Sequence, residues 1–382
     1  MKLTHCHNID DFRTLAKARL PWPVFDYIDG AADDEVTRRR NRAAYDDCDL
    51  VPRVLAGVGT VDMRTKLFGR EMAMPLFLAP TALQRLFHWQ GERAVLRAAA
   101  AAGTMAGISS LATISLAEAG ALTGGPKLFQ LYVHKDEGLN RTMLASAKAA
   151  KFDAVALTVD TIVGGNRERC LRSGFTSPPR FTAGNMLGYA TKPGWGLNYV
   201  CREKFSLPNL ATHVSAGSSV PRSVADYFTS MLDQSLDWKR AEAIRKQWDG
   251  PFALKGIMAV EDARRAVDIG ATAIMVSNHG GRQLDGSRAP FDALAEIVDA
   301  VGDKIDVICD GGITRGTHVL KALSVGAKAC SGGRLYLYAL AAAGEDGVAR
   351  ALTLLRAEME RGMKLMGAKR LADLGRDNLR WR

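Results

Sequence analysis

Residues 277–285 read SNHGGRQLD, directly after the apolar run AIMV. An imidazole (His279), two glycines (Gly280, Gly281) and a guanidinium (Arg282) follow one another without a gap. Imidazole accepts a proton near neutral pH. Guanidinium is a planar fork that grips a carboxylate through two parallel hydrogen bonds. Base and fork together predict proton abstraction from an acidic substrate; a polar turn that only ends a strand is the plainer reading. Partners elsewhere decide between them. Asp160 closes the apolar run AVALTVD and is of the type that orients a catalytic imidazole and stabilises its charged form. Arg167, in GGNRERC, is a second fork. Lys255 ends FALKG and has two chemistries open to it, a Schiff-base nucleophile or a fixed cation beside a developing anion.

Elements that bring such residues together are legible in the order of the runs. Short apolar stretches recur at 74–82, 104–110, 127–133, 154–160, 252–256, 273–281, 306–312 and 329–334. Alanine-rich helical stretches such as GERAVLRAAAAAG and VEDARRAVDIG lie between them. Strands alternating with helices predict parallel βα units. Eight of them predict an α/β protein of the (β/α)8 TIM-barrel type, with its site at the C-terminal strand ends; a doubly wound open sheet is the alternative. In a barrel, Gln130, Tyr132, Thr158, Asp160, Lys255 and His279 converge. The seventh and eighth strands end in DGG (Asp310, Gly311, Gly312) and GGR (Gly332, Gly333, Arg334). Glycines there let backbone N–H groups approach a phosphate that an arginine also holds, although both are equally tight turns.

The whole chain is expected to form one domain. Residues 1–73 are predicted as a helical N-terminal cap, 74–160 and 237–340 as the barrel, and 341–382 as a helical tail. Residues 161–236 form a long insertion after the fourth strand, a length usually associated with function or mobility.

The 382 residues carry a net charge of +10, with the basic residues scattered. No nucleic-acid motif accompanies them, so no nucleic-acid partner is expected; acidic substrates or an anionic membrane surface suit the charge. Six cysteines without CxxC or metal-ligand spacing predict reduced thiols, a cytoplasmic protein and no metal site. No apolar run nears the roughly 20 residues of a membrane span, and MKLTHCHNIDDF lacks a signal-peptide core.

Taken in order, FDYIDGAADDE, APTA, FQLYV, LTVD, LKG, SNHGGRQLD, DGG and GR resemble the FMN-dependent L-2-hydroxy acid dehydrogenases and oxidases, over about residues 8–375. The resemblance implies that His279 takes the substrate's proton with Asp160 supporting its charge. It implies that Arg167 and Arg282 hold the carboxylate while Tyr27 and Tyr132 hydrogen-bond the substrate. Lys255 is implied to be a fixed cation beside flavin N1 and the C2 carbonyl. The flavin is implied to touch Ala79, Pro80, Thr81, Ala82, Ser109, Gln130, Thr158 and Ser277, with its phosphate on Asp310, Gly311, Gly312, Gly333 and Arg334. A homo-oligomer, often a tetramer, is the family habit.

Departures are informative. Thr314 stands where the family commonly has an arginine near the phosphate, with Arg315 adjacent. Cys330, Ser331 and Gly332 replace an apolar eighth strand. Leu111 and Gly164 are smaller than the tryptophan and leucine of glycolate oxidase-like sequences, which implies room for a longer or aromatic substrate. Within the insertion, Trp195, Tyr199 and Leu207 lie among Lys192, Arg202 and Lys204. The stretch resembles the loop of membrane-associated lactate and mandelate dehydrogenases, and 178–215 is expected to make a peripheral contact with the inner face of the plasma membrane. The resulting expectation is a dehydrogenase, most simply for L-lactate, passing electrons to a quinone or cytochrome. An oxidase producing hydrogen peroxide, to which Ala82 points, and a mandelate-type dehydrogenase are its rivals. A barrel that binds a phosphorylated ligand without redox chemistry is the third.

Overall fold

The computed structural model describes residues 2–175, 183–203, 206–211 and 230–382. Eight parallel strands follow one another around a ring: β1 (Leu76–Thr81), β2 (Ala106–Ser109), β3 (Lys127–Tyr132), β4 (Ala154–Thr158), β5 (Phe252–Ile257), β6 (Ala273–Ser277), β7 (Asp306–Asp310) and β8 (Ala329–Gly332). Pairing of Cys330, Ser331 and Gly332 with Leu76, Phe77 and Leu78 closes it, so the sheet is a barrel and not an open doubly wound one. The strands read as unbroken apolar runs because helices cover one face and the barrel interior the other; all five residues of β6 are buried.

The floor of the barrel is filled from outside the strands. A hairpin of Thr65–Leu67 and Arg70–Met72 sends Leu67, Phe68 and Met72 into a cluster with Ala154, Ala253, Ala273 and Ala329. Alanines at the strand starts leave the volume that the hairpin occupies, the large-against-small matching of a packed core. The cap, expected to be helical, thus contains β-structure. Strands of three residues carry too little alternation to be read from sequence.

Three helices form the rest of the cap: α1 (Ile9–Arg19), α2 (Trp22–Asp29) and α3 (Val36–Asp46). Asp29 at the end of α2 is fully buried and accepts from Arg13, Arg38, Arg169 and the Tyr338 hydroxyl. Burial opposes its charge, but these partners prevail and hold the carboxyl well below the usual range. Helix α3 has no side-chain cap of its own; Asp285 accepts from the N–H groups of Val36 (3.1 Å) and Thr37 (2.7 Å) instead. A carboxylate at a helix start satisfies orphan donors and opposes the dipole favourably.

The last long helix, Arg334–Met366, bends at Ala343 and Gly344. Beyond it the tail, expected to be helical, ends as a strand, Leu379–Trp381, antiparallel to Cys48–Leu50. The insertion contributes helices Glu168–Ser173, Ala183–Ala190, Pro193–Cys201 and Pro208–Ala211.

Removing the plug tests the floor. Phe68→Ala should lower stability by about 3–5 kcal/mol, the usual result for a buried phenylalanine, read as a lower urea midpoint at unchanged m-value. A shift within error would mean that the hairpin is not part of the core.

Candidate active site

A cavity of about 590 Å³ opens at the C-terminal ends of the strands, within the range of cofactor and substrate sites, about 300–1,000 Å³. Its wall takes Ala79, Pro80, Thr81 and Ala82 from β1 and the loop after it, and Lys255 from β5. Asp310, Gly311, Gly312, Gly333 and Arg334 come from the ends of β7 and β8. Tyr27, Tyr132, Arg167, His279 and Arg282 complete the set expected around a substrate. Ser109, Gln130, Thr158 and Ser277, expected against the flavin, are buried at strand ends but are not on this wall.

His279 heads three consecutive left-handed residues, with φ of 56°, 67° and 74° at His279, Gly280 and Gly281. This turn swings the imidazole off the axis of β6 and brings Arg282 back toward the same space. Glycine is required at Gly281, where a Cβ would meet the Arg38 backbone nitrogen at 2.7 Å under positive φ. His279 Nδ1 lies 3.0 Å from Asp160 Oδ1, so Nδ1–H donates and Nε2 is the free base. Gly256, next to Lys255, leaves room for that carboxylate: a Cβ there would lie 2.7 Å from Asp160 Cβ. Burial, the largest influence, holds the His279 pKa below 6.5; Asp160 pulls it up, while Lys255 and Arg167 push it down. The ring is therefore neutral at pH 7 and competent as a base.

Lys255 Nζ lies 2.7 Å from Asp310 Oδ2 and 2.9 Å from Ser277 Oγ. Ser277 and Ser331 each donate to Asp310 at 2.7 Å. Burial opposes both charges, yet the pair outweighs it: the Lys255 pKa is raised and that of Asp310 lowered. A Schiff-base lysine must be neutral, so this geometry selects the fixed cation. It also gives the Asp310 side chain a partner of its own. Its side chain is the counter-ion of Lys255, so its place in the cavity wall expected around a phosphate is marked by the backbone turn that follows it.

Arg167 and Arg282 meet over the Tyr27 ring, their guanidinium carbons 6.0 Å and 5.0 Å from its centre. Arg282 Nη1 donates to the carbonyls of Tyr27 and Gly30. Its Nε and Nη2 make no hydrogen bond among the described residues, a free edge suited to a carboxylate. Burial first, and then the neighbouring Arg167 charge, lower the Arg282 pKa. An anion between the two forks relieves that repulsion.

Two further arginines are held by the protein itself. Arg334, expected at the phosphate, is on the cavity wall and donates to the carbonyls of Ile28 (3.0 Å), Gly280 (2.7 Å) and Gly30 (2.6 Å), the last shared with Arg282. Arg315 pairs with Glu358 at 2.9 Å, away from the cavity. Leu111 is on the wall, whereas Gly164 is exposed and is not. Some of the site was missed in the sequence. Tyr336 ties Thr81 (2.6 Å) to the Ala79 carbonyl (2.8 Å), and Asn41 and Asn278 exchange two hydrogen bonds. Ser331 looked like a poor strand residue; an isolated serine in an apolar strand was the available signal.

Among the described residues no His, Cys, Asp and Glu group is suited to a metal ion, and all six cysteines are free.

Comparison with known proteins gives the arrangement its family. The model of the FMN-dependent dehydrogenases matches residues 16–381. The chain is 41% identical to an L-lactate oxidase of Nostoc sp. over 96% of both chains. It is 40% identical to an L-lactate dehydrogenase of Caulobacter sp. over 97% of both. The crystal structure of the monotopic membrane protein (S)-mandelate dehydrogenase superposes with a TM-score of 0.92 at 33% identity, covering 99% of this chain and 100% of that one. A barrel whose strand ends gather a neutral histidine, a buried lysine and two facing arginines thus belongs to the FMN-dependent dehydrogenases, flavoproteins that oxidise 2-hydroxy acids.

Proposed function

We propose that this chain oxidises an L-2-hydroxy acid, with L-lactate as its principal substrate, and passes the electrons to a membrane quinone or cytochrome. The observation that carries the reading is one cavity holding a carboxylate clamp, a neutral base and a buried cation together. The L-lactate enzymes among the relatives support the substrate.

The cavity's surroundings fit FMN. Gln130 Nε2 and Thr158 Oγ1 are buried without a partner among the described residues, at strand ends where a polar heterocycle would meet them. Lys255 supplies a cation for one edge of that ring, and the glycine turns after β7 and β8 supply room for a phosphate. FMN, when bound, accepts the electron pair from the substrate's α-carbon. Arg167 and Arg282 fix the substrate by its carboxylate, and Tyr132 faces the same space. His279 Nε2 takes the proton released as the alcohol becomes a ketone. Asp160, on Nδ1–H, keeps the correct tautomer and stabilises the imidazolium that results. Lys255 stays charged throughout and stabilises negative charge developing beside it.

A peripheral membrane contact is supported by different residues from those the sequence suggested. Trp195 donates to the Leu86 carbonyl and stacks on Tyr199 at 5.1 Å, so both rings pack on the protein. Lys204 lies outside the described residues. Met186, Leu187, Leu197 and Val200 are instead exposed on the two helices 183–190 and 193–201, at 55–76%. No helix of the described residues is long and apolar enough to cross a membrane. An exposed apolar face beside cations suits the membrane interface.

A larger substrate is the second reading, favoured by Leu111 on the cavity wall and by the fit to the mandelate dehydrogenase structure. A stopped-flow panel decides: flavin reduction fastest with L-lactate supports the proposal, and fastest with mandelate overturns its substrate. Rapid hydrogen peroxide formation in air without added acceptor would overturn the acceptor. His279→Gln should retain flavin and slow its reduction by about 10²–10⁴-fold. Protonated histidine cannot accept a proton, so kcat/KM should fall with acidification through a pKa below 6.5. Asp160→Asn removes a group that raises this pKa and should move the acid limb to lower pH while slowing reduction. Leu187→Asp and Val200→Asp should each weaken co-sedimentation with anionic vesicles about tenfold; unchanged sedimentation would refute the contact.

A further inference from the structure

The part of the cavity beyond Lys255, where Gly311, Gly312 and Thr314 follow β7 and Gly333 follows β8, faces helix α3. The contact is direct: a Cβ on Gly312 would lie 1.8 Å from the Asn41 carbonyl oxygen. A phosphate dianion seated there needs donors and cations close by. The nearby arginines of the barrel are engaged elsewhere, Arg315 with Glu358 and Arg334 with three carbonyls. Arg13 and Arg38 of the cap are tied to the buried Asp29.

Arg39, also on the wall, donates to the Asp34 carbonyl at the exposed start of α3, which leaves two groups nearest the turn. Thr314 Oγ1 is buried on the cavity side of the turn and has no partner among the described residues. Arg42, one residue past Asn41 on α3, is on the cavity wall, and its hydrogen bonds go only to Asp10 (2.9 and 2.7 Å) among the described residues. That pair is about half exposed (47% and 48%), so little is lost when it opens. Arg42 also acts electrostatically on His318, whose Nδ1 is 3.3 Å from the Gly312 carbonyl oxygen and 3.4 Å from the Thr314 nitrogen. A cation held only by a half-exposed carboxylate thus shares the cavity wall with the turn that carries the unpartnered hydroxyl.

We infer that the FMN phosphate is held by the Thr314 hydroxyl and the Arg42 guanidinium, so that its cation comes from the N-terminal cap and not from the barrel. The inference rests on FMN being the cofactor. On binding, Arg42 exchanges the Asp10 carboxylate for the phosphate, and the phosphate then bridges the β7 turn to α3. Riboflavin, which lacks the phosphate, makes no such bridge.

Titration of the apoprotein with FMN and with riboflavin, followed by flavin fluorescence, tests this without turnover. The wild type should bind FMN more tightly. Arg42→Gln should shrink the FMN-over-riboflavin preference by about tenfold to a hundredfold, the effect of one hydrogen bond to a charged group, with riboflavin affinity unchanged. Arg40→Gln removes the same charge from an exposed position of the same helix and should leave the preference intact. Asp10→Asn removes a competing carboxylate and should keep or strengthen FMN binding. An unchanged preference in Arg42→Gln overturns the inference. So does an Asp10→Asn protein as impaired as Arg42→Gln, because the pair would then act as a structural tie. A wild type that binds both flavins equally overturns this inference alone; one that binds neither overturns the cofactor reading as well.

Discussion

Lys255 and Asp310 form an ion pair almost out of contact with water, the side chains 5% and 9% exposed. Two charges taken from water recover their solvation only when geometry and additional hydrogen bonds are good, and removing one partner of such a pair costs about 3–5 kcal/mol. The top of the barrel is arranged around that requirement. Ser277 accepts from Lys255 and from the His279 N–H and donates to Asp310, the full capacity of a hydroxyl. Ser331 covers the second carboxylate oxygen. Four neighbouring strands, β5 to β8, each contribute one member. The buried cation and the backbone position of His279 are thereby fixed by one network.

The stretch SNHGGRQLD performs the second organising role. Ser277 belongs to the ion-pair network, and His279 and Arg282 are the proposed base and carboxylate clamp. Gln283 Nε2 donates to the carbonyls of Asp160 and Val163, which holds the loop leading to Arg167. Asp285 caps α3. A single turn thus positions groups on its own strand, on the loop after β4 and on the cap. The tightness of the turn, three left-handed residues in succession, makes that reach possible.

Much of this was legible in the sequence because the period of strands and helices is regular. Counting eight runs was enough to place Asp160 against His279 across 119 residues. Residue chemistry alone left Lys255 undecided, since its state depends on Asp310 and Ser331, which no local pattern connects to it. The same reason explains the rest. Arg334 and Asp310 stand beside glycines as expected, and what their side chains bond to, buried carbonyls and a buried lysine, has no local pattern in the sequence. Trp195 and Tyr199 looked like lipid-facing residues beside cations, whereas the packing of their helix on the loop carrying Leu86 turns them inward. Ser331 is a poor strand former in isolation, and barrel closure overrides propensity there.

The cap takes its closing contacts from residues far along the chain. Helix α3 waits for Asp285, the Ile28 and Gly30 carbonyls for Arg334, those of Thr4 and Cys6 for Arg350, and the strand at Cys48 for Trp381. Contacts of such sequence separation form slowly, because loop closure precedes their reward. By that principle the cap docks after the barrel that supplies its partners. The helical segment over the mouth of the barrel is thus the late-arriving wall of the cavity, which is whole only when cap and barrel have met.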